Sequence, residues 1–188
     1  ANEVRRLERE IEKQKRAEEK AKLEKQKEQM KAASFTKDMN KGLATDRSSD
    51  GRYVDHGDGT ITDIKTSLMW TKKDSFADLG KCLDWNESKK YVKGGFFAKG
   101  LKTGGYSDWR LPTVQELKSI YEESKSNKDY KGRVNHLDPI FDSGGTWRYW
   151  SSETAGFCCV RIVYFFDGDV YQSNRDVCDL EGVRAVRP

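Results

Sequence analysis

The chain has 188 residues, a formal net charge of +4 and a charged fraction of 35%, which is too high for one evenly built compact fold. No run of about 18 apolar residues occurs, so the sequence excludes a membrane-spanning helix and direct membrane insertion. No Cys-x-x-Cys pair is present and both His stand far from the four Cys, so neither a metal site nor a cofactor is expected.

The excess charge is concentrated at the start of the chain. Residues 1–33 hold 11 Lys+Arg and 8 Asp+Glu, and residues 3–33 contain no Pro or Gly and consist mostly of strong helix formers. A heptad seam begins with three apolar residues, Val4, Leu7 and Ile11. We predict a long N-terminal α-helix that forms a coiled-coil stalk, with a single helix stabilised by ion pairs as the alternative. The small charge excess and the lack of interleaved aromatics argue against nucleic-acid binding.

A polar connector over residues 34–50 precedes a predicted globular head over residues 51–188, which is long enough to bury a core. The head begins with a predicted β-hairpin over residues 52–63, whose turn lies at Asp58-Gly59. The nearby aspartates lack the spacing of a calcium loop, so a turn is the better interpretation. A buried apolar run follows at residues 68–70.

Residues 72–102 form the basic half of the head. A short amphipathic helix is predicted from Trp85 to the Gly94-Gly95 pair. Five lysines of this segment are candidate contacts for an anionic ligand: Lys89, Lys90, Lys93, Lys99 and Lys102. The alternative is that they only solvate the surface, as charge runs usually do.

The stretch over residues 105–117 predicts a helix entrance. Thr113 is the expected N-cap and Glu116 completes a capping box, so we predict a helix over residues 113–124. Immediately upstream, Trp109 alternates with charged residues and is expected to reach the core, as is Leu111. Asp108 and Arg110 are expected to form an ion pair.

The C-terminal part predicts a core strand at residues 147–152, a hairpin turning at Asp167-Gly168, and a closing strand over residues 183–187. Four cysteines in such a domain favour disulfides and an oxidising compartment, with buried free thiols as the alternative. With the turn centred at residues 167–168, both members of the adjacent pair fall near Cys178, so one of them could bridge it and leave the other for Cys82; the sequence leaves the connectivity open. The four are Cys82, Cys158, Cys159 and Cys178.

Six motifs in this order are not generic: residues 58–63, 68–70, 105–117, 149–152, 166–168 and 183–187. Together they resemble the C-terminal domain family of the Legionella collagen-like adhesin over residues 52–188. The resemblance implies an α+β, C-type-lectin-like head of the variety shared with formylglycine-generating enzymes, with its first and last strands paired. It also implies a bacterial surface or periplasmic protein, and a trimeric head that binds sulfated glycans. Residues 1–33 would take the place of the collagen stalk.

We therefore predict a non-catalytic surface binding head on an oligomeric helical stalk, a homotrimer located outside the cell or on the bacterial surface. Its partner would be a polyanionic glycan or a receptor on a host or prey surface. Besides the five lysines, the candidate ligand contacts are Tyr106, Trp147, Arg148 and Tyr149, for which a buried core position is the alternative. A periplasmic structural or ligand-sensing module is the second hypothesis. An oxidoreductase of the formylglycine-generating type is the third, although no nucleophile with a neighbouring base is visible.

Overall fold

The structure is a computed structural model in which the chain divides into two units, Ala1–Gly42 and Leu43–Pro188. It describes residues 46–95 and 99–188 of the second unit. The predicted stalk over residues 1–33 and most of the connector over residues 34–50 lie outside the described residues. The described part is a mixed α+β domain with more sheet than helix, as the sequence predicted.

One antiparallel sheet of five strands contains both the first and the last strand of the domain. Its strand order is β1-β2-β3-β4-β11. Its strands are β1 (Asp46–Arg47), β2 (Tyr53–Asp55), β3 (Thr60–Asp63), β4 (Leu68–Thr71) and β11 (Val186–Arg187). The predicted hairpin is confirmed as β2 and β3. The first and last strands are not paired with each other, contrary to what the resemblance implied: β11 joins this sheet through β4, and β1 is at the opposite edge. Strand β1 also extends the domain upstream of the predicted start at residue 51.

A second sheet has the order β10-β7-β8-β9 and carries most of the aromatic core. It comprises β7 (Arg148–Ala155), β8 (Cys159–Tyr164), β9 (Val170–Asn174) and β10 (Glu181–Gly182). Strand β10 is parallel to β7, and the other pairs are antiparallel. A small ribbon pairs β5 (Asn127–Lys128) with β6 (Val134–Asn135).

Three short helices connect the sheets: α1 (Ser75–Leu79), α2 (Trp85–Lys93) and α3 (Val114–Ile120). Thr113 caps α3 with the predicted capping box, but the helix ends at Ile120, four residues earlier than expected. Helix α2 ends at Gly94, whose φ of 80° favours glycine. Among the described helices, none has the length and apolar character needed to cross a bilayer.

The segment before α3 reaches the core as predicted, but its charges pair differently. Trp109 is fully buried, and the next residue bridges to β11. Arg110 pairs with Glu116 at 2.6 Å, whereas Asp108 pairs with Arg187 at 2.7 Å. The predicted Asp108–Arg110 pair is therefore wrong. Each side chain instead joins its segment to a neighbouring element, the capped helix in one case and β11 in the other.

A buried polar network fastens both sheets and α1 together. The Asp74 carboxylate caps α1 by accepting from the backbone NH of Ala77, and it also accepts from the hydroxyl of Tyr149 at 2.8 Å. The guanidinium of Arg184, which is 1% exposed, lies 3.6 Å from the same carboxylate. Burial raises the pKa of Tyr149, so its hydroxyl keeps the proton that it donates. A Cβ at Gly145 would overlap the Asp74 carboxylate, so only glycine fits there.

All four cysteines are in disulfides, but the predicted pairing is wrong. Cys82 is bonded to Cys178, and Cys158 to Cys159. The reason is the hairpin register: Tyr164 and Asp169 are hydrogen-bonded neighbours, so the turn is centred one residue earlier than predicted.

That register places Cys159 opposite Asn174 and leaves Cys178 beyond the paired part of β9. A hydrogen bond from the backbone NH of Trp85 to the carbonyl of Arg175 draws the segment before α2 towards the same bend, where Cys82 meets Cys178. Cys158 lies in the turn before β8, whereas Cys159 is the first residue of that strand.

The two disulfides should differ in their effect on stability. The Cys82–Cys178 bridge joins residues 96 positions apart, and its removal in Cys82→Ser/Cys178→Ser should lower the free energy of unfolding by about 4 to 5 kcal/mol. Cys158→Ser/Cys159→Ser is the control, because a bridge between neighbours restricts almost no chain entropy. Guanidinium unfolding of the two double variants measures the difference, and equal losses would contradict the assignment of roles.

Disrupting the buried network should lower the free energy of unfolding by more than removing a surface ion pair does. Asp74→Ala leaves Arg184 buried without its counter-charge and should lower the free energy of unfolding by about 3 to 5 kcal/mol. The matched control is Asp179→Ala. The Asp179 carboxylate pairs with Arg148 but is 71% exposed, so its removal should lower the free energy of unfolding by about 0.5 kcal/mol or less. Urea titrations of both variants test this, and a loss at Asp74 as small as at Asp179 would refute it.

Candidate functional site

An open groove of about 490 Å³ runs between α2 and the segment that leads into α3. We call it the α2 groove, and it is lined by Trp85, Lys89, Val92, Lys93, Arg110, Leu111 and Ser152. Its floor is apolar and its rim is cationic. It unites two of the predicted lysines with residues that are far apart in the sequence.

The positions of the two lysines along α2 bring both of their side chains to the groove. Asp84 and Glu87 form a capping box that fixes the first turn, and Val92 is buried against the domain. Lys89 and Lys93 are four residues apart and therefore lie on the same side of the helix, one turn from each other. Within the described residues, neither ammonium group has a carboxylate within 4.0 Å. Their charges are thus available to an anionic ligand.

Trp85 forms the aromatic part of the floor. Its indole Nε1 donates to the carbonyl of Ser151 at 2.9 Å, which fixes the plane of the ring. The ammonium of Lys89 lies 3.7 Å from the centroid of that ring, within the range of a cation–π contact. Because Trp85 is only 9% exposed, a small part of its ring is accessible beside the positive charge of Lys89. A sugar ring with an anionic substituent could contact both at once.

The strand opposite α2 is shaped by an irregularity in β7. The pairing of β7 with β8 shifts register between Trp150 and Thr154. The backbone NH of Ser152 there donates to the carbonyl of Pro112 at 2.7 Å, which brings Ser152 next to Leu111 on the groove wall.

Arg110 contributes a third cation, but its charge is largely balanced. Its two terminal nitrogens donate to the Glu116 carboxylate at 2.8 and 2.6 Å. This contact raises the pKa of Arg110 and lowers that of Glu116. The positive field of the groove therefore comes mainly from Lys89 and Lys93, while Arg110 supplies a fixed, planar donor.

Tyr106 lies beside this region. Its ring, 36% exposed, stacks against the guanidinium of Arg187 at 4.0 Å. Arg187 is bonded to Asp108, and this hydrogen bond is the main cause of the lowered pKa of Asp108, with a smaller contribution from the charge of Lys93.

The other predicted lysines do not line the groove. Lys90, Lys99 and Lys102 are all exposed, and none of them borders the groove. They add positive charge to the domain without helping to shape a site.

The second predicted surface is mostly interior. Tyr149 is 1% exposed and belongs to the buried network, so its expected role as a surface contact is corrected. Trp147 is 7% exposed because it packs against Tyr164 and Phe166. Arg148 stacks on Trp147 and pairs with Asp179 at 2.9 Å, which leaves it little freedom to meet a ligand.

Sequence reasoning missed Arg110 and Trp85 as parts of the site. The expected ion pair with Asp108 accounted for Arg110, and Trp85 was expected only as the first residue of a helix. The signal that could have found Trp85 is its position four residues before Lys89, which allows a cation–π contact on one helix.

The described residues offer few side-chain groups that could act in catalysis or bind a metal ion. Among the described residues, no group of three or more His, Cys, Asp or Glu could hold a metal ion. The formylglycine-generating hypothesis requires a reactive thiol pair at a metal site, and none of the four cysteines belongs to a metal-binding group among the described residues.

The Arg110–Glu116 contact should make stability depend on pH. Since the pKa of Glu116 is lowered on folding, its contribution is present above the ordinary Glu value and is lost as the pH falls through the lowered one. We expect the free energy of unfolding to drop less between about pH 6 and about pH 3 in Glu116→Gln than in the parent protein. Urea unfolding at both pH values tests this, and identical drops would contradict it.

A family model for a known protein domain matches the folded part of the chain described above. No curated protein matches the sequence. The family model described as the Lcl C-terminal domain matches residues 59–187, which contain the α2 groove, both disulfides and the buried network. Because that match covers most of the chain, the protein belongs to the Lcl C-terminal domain family, as its resemblance to the Legionella collagen-like adhesin predicted.

Proposed function

We propose that the head is the binding tip of a surface adhesin and that it recognises a polyanionic, for example sulfated, glycan in the α2 groove. The observation that carries the proposal is the juxtaposition of two available ammonium groups, those of Lys89 and Lys93, with the fixed indole ring of Trp85.

The chemistry of the groove suits such a ligand. Sulfate and carboxylate groups interact with ammonium groups through charge-assisted hydrogen bonds, which are stronger than neutral ones. Aromatic rings offer an apolar face for the CH groups of a pyranose ring. Arg110 can add hydrogen bonds in a fixed plane while its own charge stays balanced by Glu116. At about 490 Å³ the groove has room for a short oligosaccharide segment.

Family membership supports the general role in this proposal, that of an adhesin domain at a surface. The Lcl C-terminal domain is an adhesin-associated family, which indicates an adhesin-like surface domain. The two disulfides fit an oxidising location, so we propose the extracellular side or the bacterial surface, with the periplasm as the second possibility. The family supports a binding role over an enzymatic one.

We further propose that residues 1–33 form a coiled-coil stalk that displays three copies of the head. The absence of Pro and Gly from residues 3–33 and the apolar seam at their start support a helix that oligomerises. Three weak sites on one stalk would engage a repeating glycan far more tightly than one. A chain that stays monomeric in analytical ultracentrifugation at all accessible concentrations would contradict the trimer.

Binding to immobilised heparin over a salt series tests the groove. We expect retention of the intact chain near 0.1 M salt, where the screening length is about 10 Å, and release well before 1 M, where it is about 3 Å. Lys89→Ala/Lys93→Ala should lose most of the retention, because it removes both available charges of the groove.

The matched control is Lys99→Ala/Lys102→Ala, which removes the same net charge from exposed positions outside the groove. It should elute at nearly the parent salt concentration. Equal losses in the two double variants would show unspecific attraction to a basic surface, and retention of the groove variant at the parent level would refute the site. Trp85→Leu should weaken binding even at low salt, since stacking is not screened.

A further inference from the structure

The tip of the hairpin between β7 and β8 carries an unusual covalent feature. Gly156, Phe157 and Cys158 form the turn, and Cys158 is bonded to its neighbour Cys159, the first residue of β8. Phe157 is fully exposed, Cys158 is exposed and Cys159 is half-buried. The bridge is thus at the surface of the domain, whereas Cys82 and Cys178 are both half-buried.

This bridge does little for the stability of the fold. A disulfide stabilises a protein mainly by closing a loop in the unfolded chain, and a bond between adjacent residues closes essentially none. The 96-residue separation of Cys82 and Cys178 makes that bridge the structural one. The adjacent pair can therefore open without releasing any long-range constraint.

The turn is held by contacts that do not involve the sulfur atoms. The side chain of Arg175 donates to the carbonyls of Gly156 and Phe157, and its backbone NH donates to the carbonyl of Cys158 at 2.9 Å. On the β8 side, Cys159 pairs with Asn174 across the ladder. These contacts should keep the hairpin in place after the S–S bond is broken.

The same arginine places a positive charge near the pair, because its guanidinium is hydrogen-bonded to the carbonyls of the two residues that precede Cys158. Within the described residues, Arg175 has no carboxylate within 4.0 Å. A neighbouring guanidinium lowers the pKa of a thiol, and a thiol of low pKa is the better leaving group when a disulfide is attacked. An exposed bridge beside a cation has the features of a labile disulfide and not of a structural one.

We propose that the Cys158–Cys159 disulfide is a thiol–disulfide exchange site, reduced reversibly by a dithiol while the Cys82–Cys178 bridge and the fold remain intact. A thiolate of the dithiol attacks one sulfur, forms a mixed disulfide and expels the other cysteine as a thiolate, which takes up a proton. The second thiol of the reductant then displaces the first cysteine as a thiol and closes its own disulfide. Two electrons and two protons pass from the dithiol to the protein.

Reduction would separate the two sulfur atoms and let the side chains of Cys158 and Cys159 rotate independently beside the exposed ring of Phe157, while the backbone contacts of the turn persist. The redox state of the surroundings would then change the shape of an exposed apolar tip without unfolding the domain. The reductant is defined by its chemistry as a dithiol, which could be a small molecule or a protein.

The test is a titration of the intact oxidised chain with dithiothreitol, followed by alkylation with N-ethylmaleimide and peptide mass spectrometry. Cys158 and Cys159 should be half-labelled at a dithiol concentration at least about tenfold below that needed for Cys82 and Cys178. The tryptophan bands of the near-ultraviolet circular dichroism, which report the packing of the core, should stay unchanged over that range. Simultaneous reduction of both bridges, or loss of the tertiary signal with the adjacent pair, would overturn the proposal.

Two further arms make the test specific. Cys158→Ser/Cys159→Ser should show no labelling in the low range, which excludes partial reduction of the long-range bridge as the source of the signal. Reduced thioredoxin in place of dithiothreitol shows whether a protein dithiol reaches the site: labelling by both assigns it to protein dithiols as well, and labelling by dithiothreitol alone restricts it to small ones.

The contribution of the Arg175 charge is tested by the rate at which dithiothreitol reduces the Cys158–Cys159 disulfide. Arg175→Gln should slow reduction at least about threefold, whereas Arg175→Lys, which keeps the charge, should react at nearly the parent rate. Equal rates in the parent and in Arg175→Gln would overturn the electrostatic part of the proposal.

Discussion

The buried carboxylate of Asp74 is the interaction on which the rest of the domain depends. It caps α1, accepts from the Tyr149 hydroxyl in β7, and faces the Arg184 guanidinium between β10 and β11. The first sheet, the second sheet and the connecting helix are thereby fixed to one another by a single charged group in the interior. Since an unpaired charge there would be very costly, alternative packings of these elements are disfavoured.

The α2 groove is a consequence of that arrangement. Helix α2 follows α1 directly, and Trp85 is held by its bond to Ser151 in β7. The segment before α3 is held by its bridge to β11. With both walls tied to the sheets, Lys89 and Lys93 are displayed on a rigid base, so binding would cost little ordering of the protein backbone. The hairpin tip with Cys158 is different: Arg175 and the pairing of Cys159 with Ala155 and Asn174 hold its base, but Phe157 at its end is fully exposed.

Much of the fold was predictable where local rules decide it. The capping box at Thr113, the hairpin at residues 52–63 and the helix that ends at Gly94 follow from residue types at fixed spacing. The partners of Asp108 and Arg110 were not predictable, because a charged side chain can reach several residues and the fold decides which one is near. The cysteine pairing failed for a related reason: moving the turn by a single residue displaces every opposite position on the returning strand by two. The groove itself needs three segments that only the tertiary structure brings together: α2, residues 110–111 and β7.

The central claim is that the α2 groove is where a sulfated glycan binds. The most direct measurement is a titration of the isotope-labelled intact chain with a heparin-derived tetrasaccharide, followed through backbone amide and tryptophan indole signals in two-dimensional NMR spectra. The claim predicts that the largest shifts cluster on α2, on Arg110 and Leu111, and on the indole of Trp85. Shifts confined to another surface, such as the exposed tip at Phe157 or the face of β9, would contradict it.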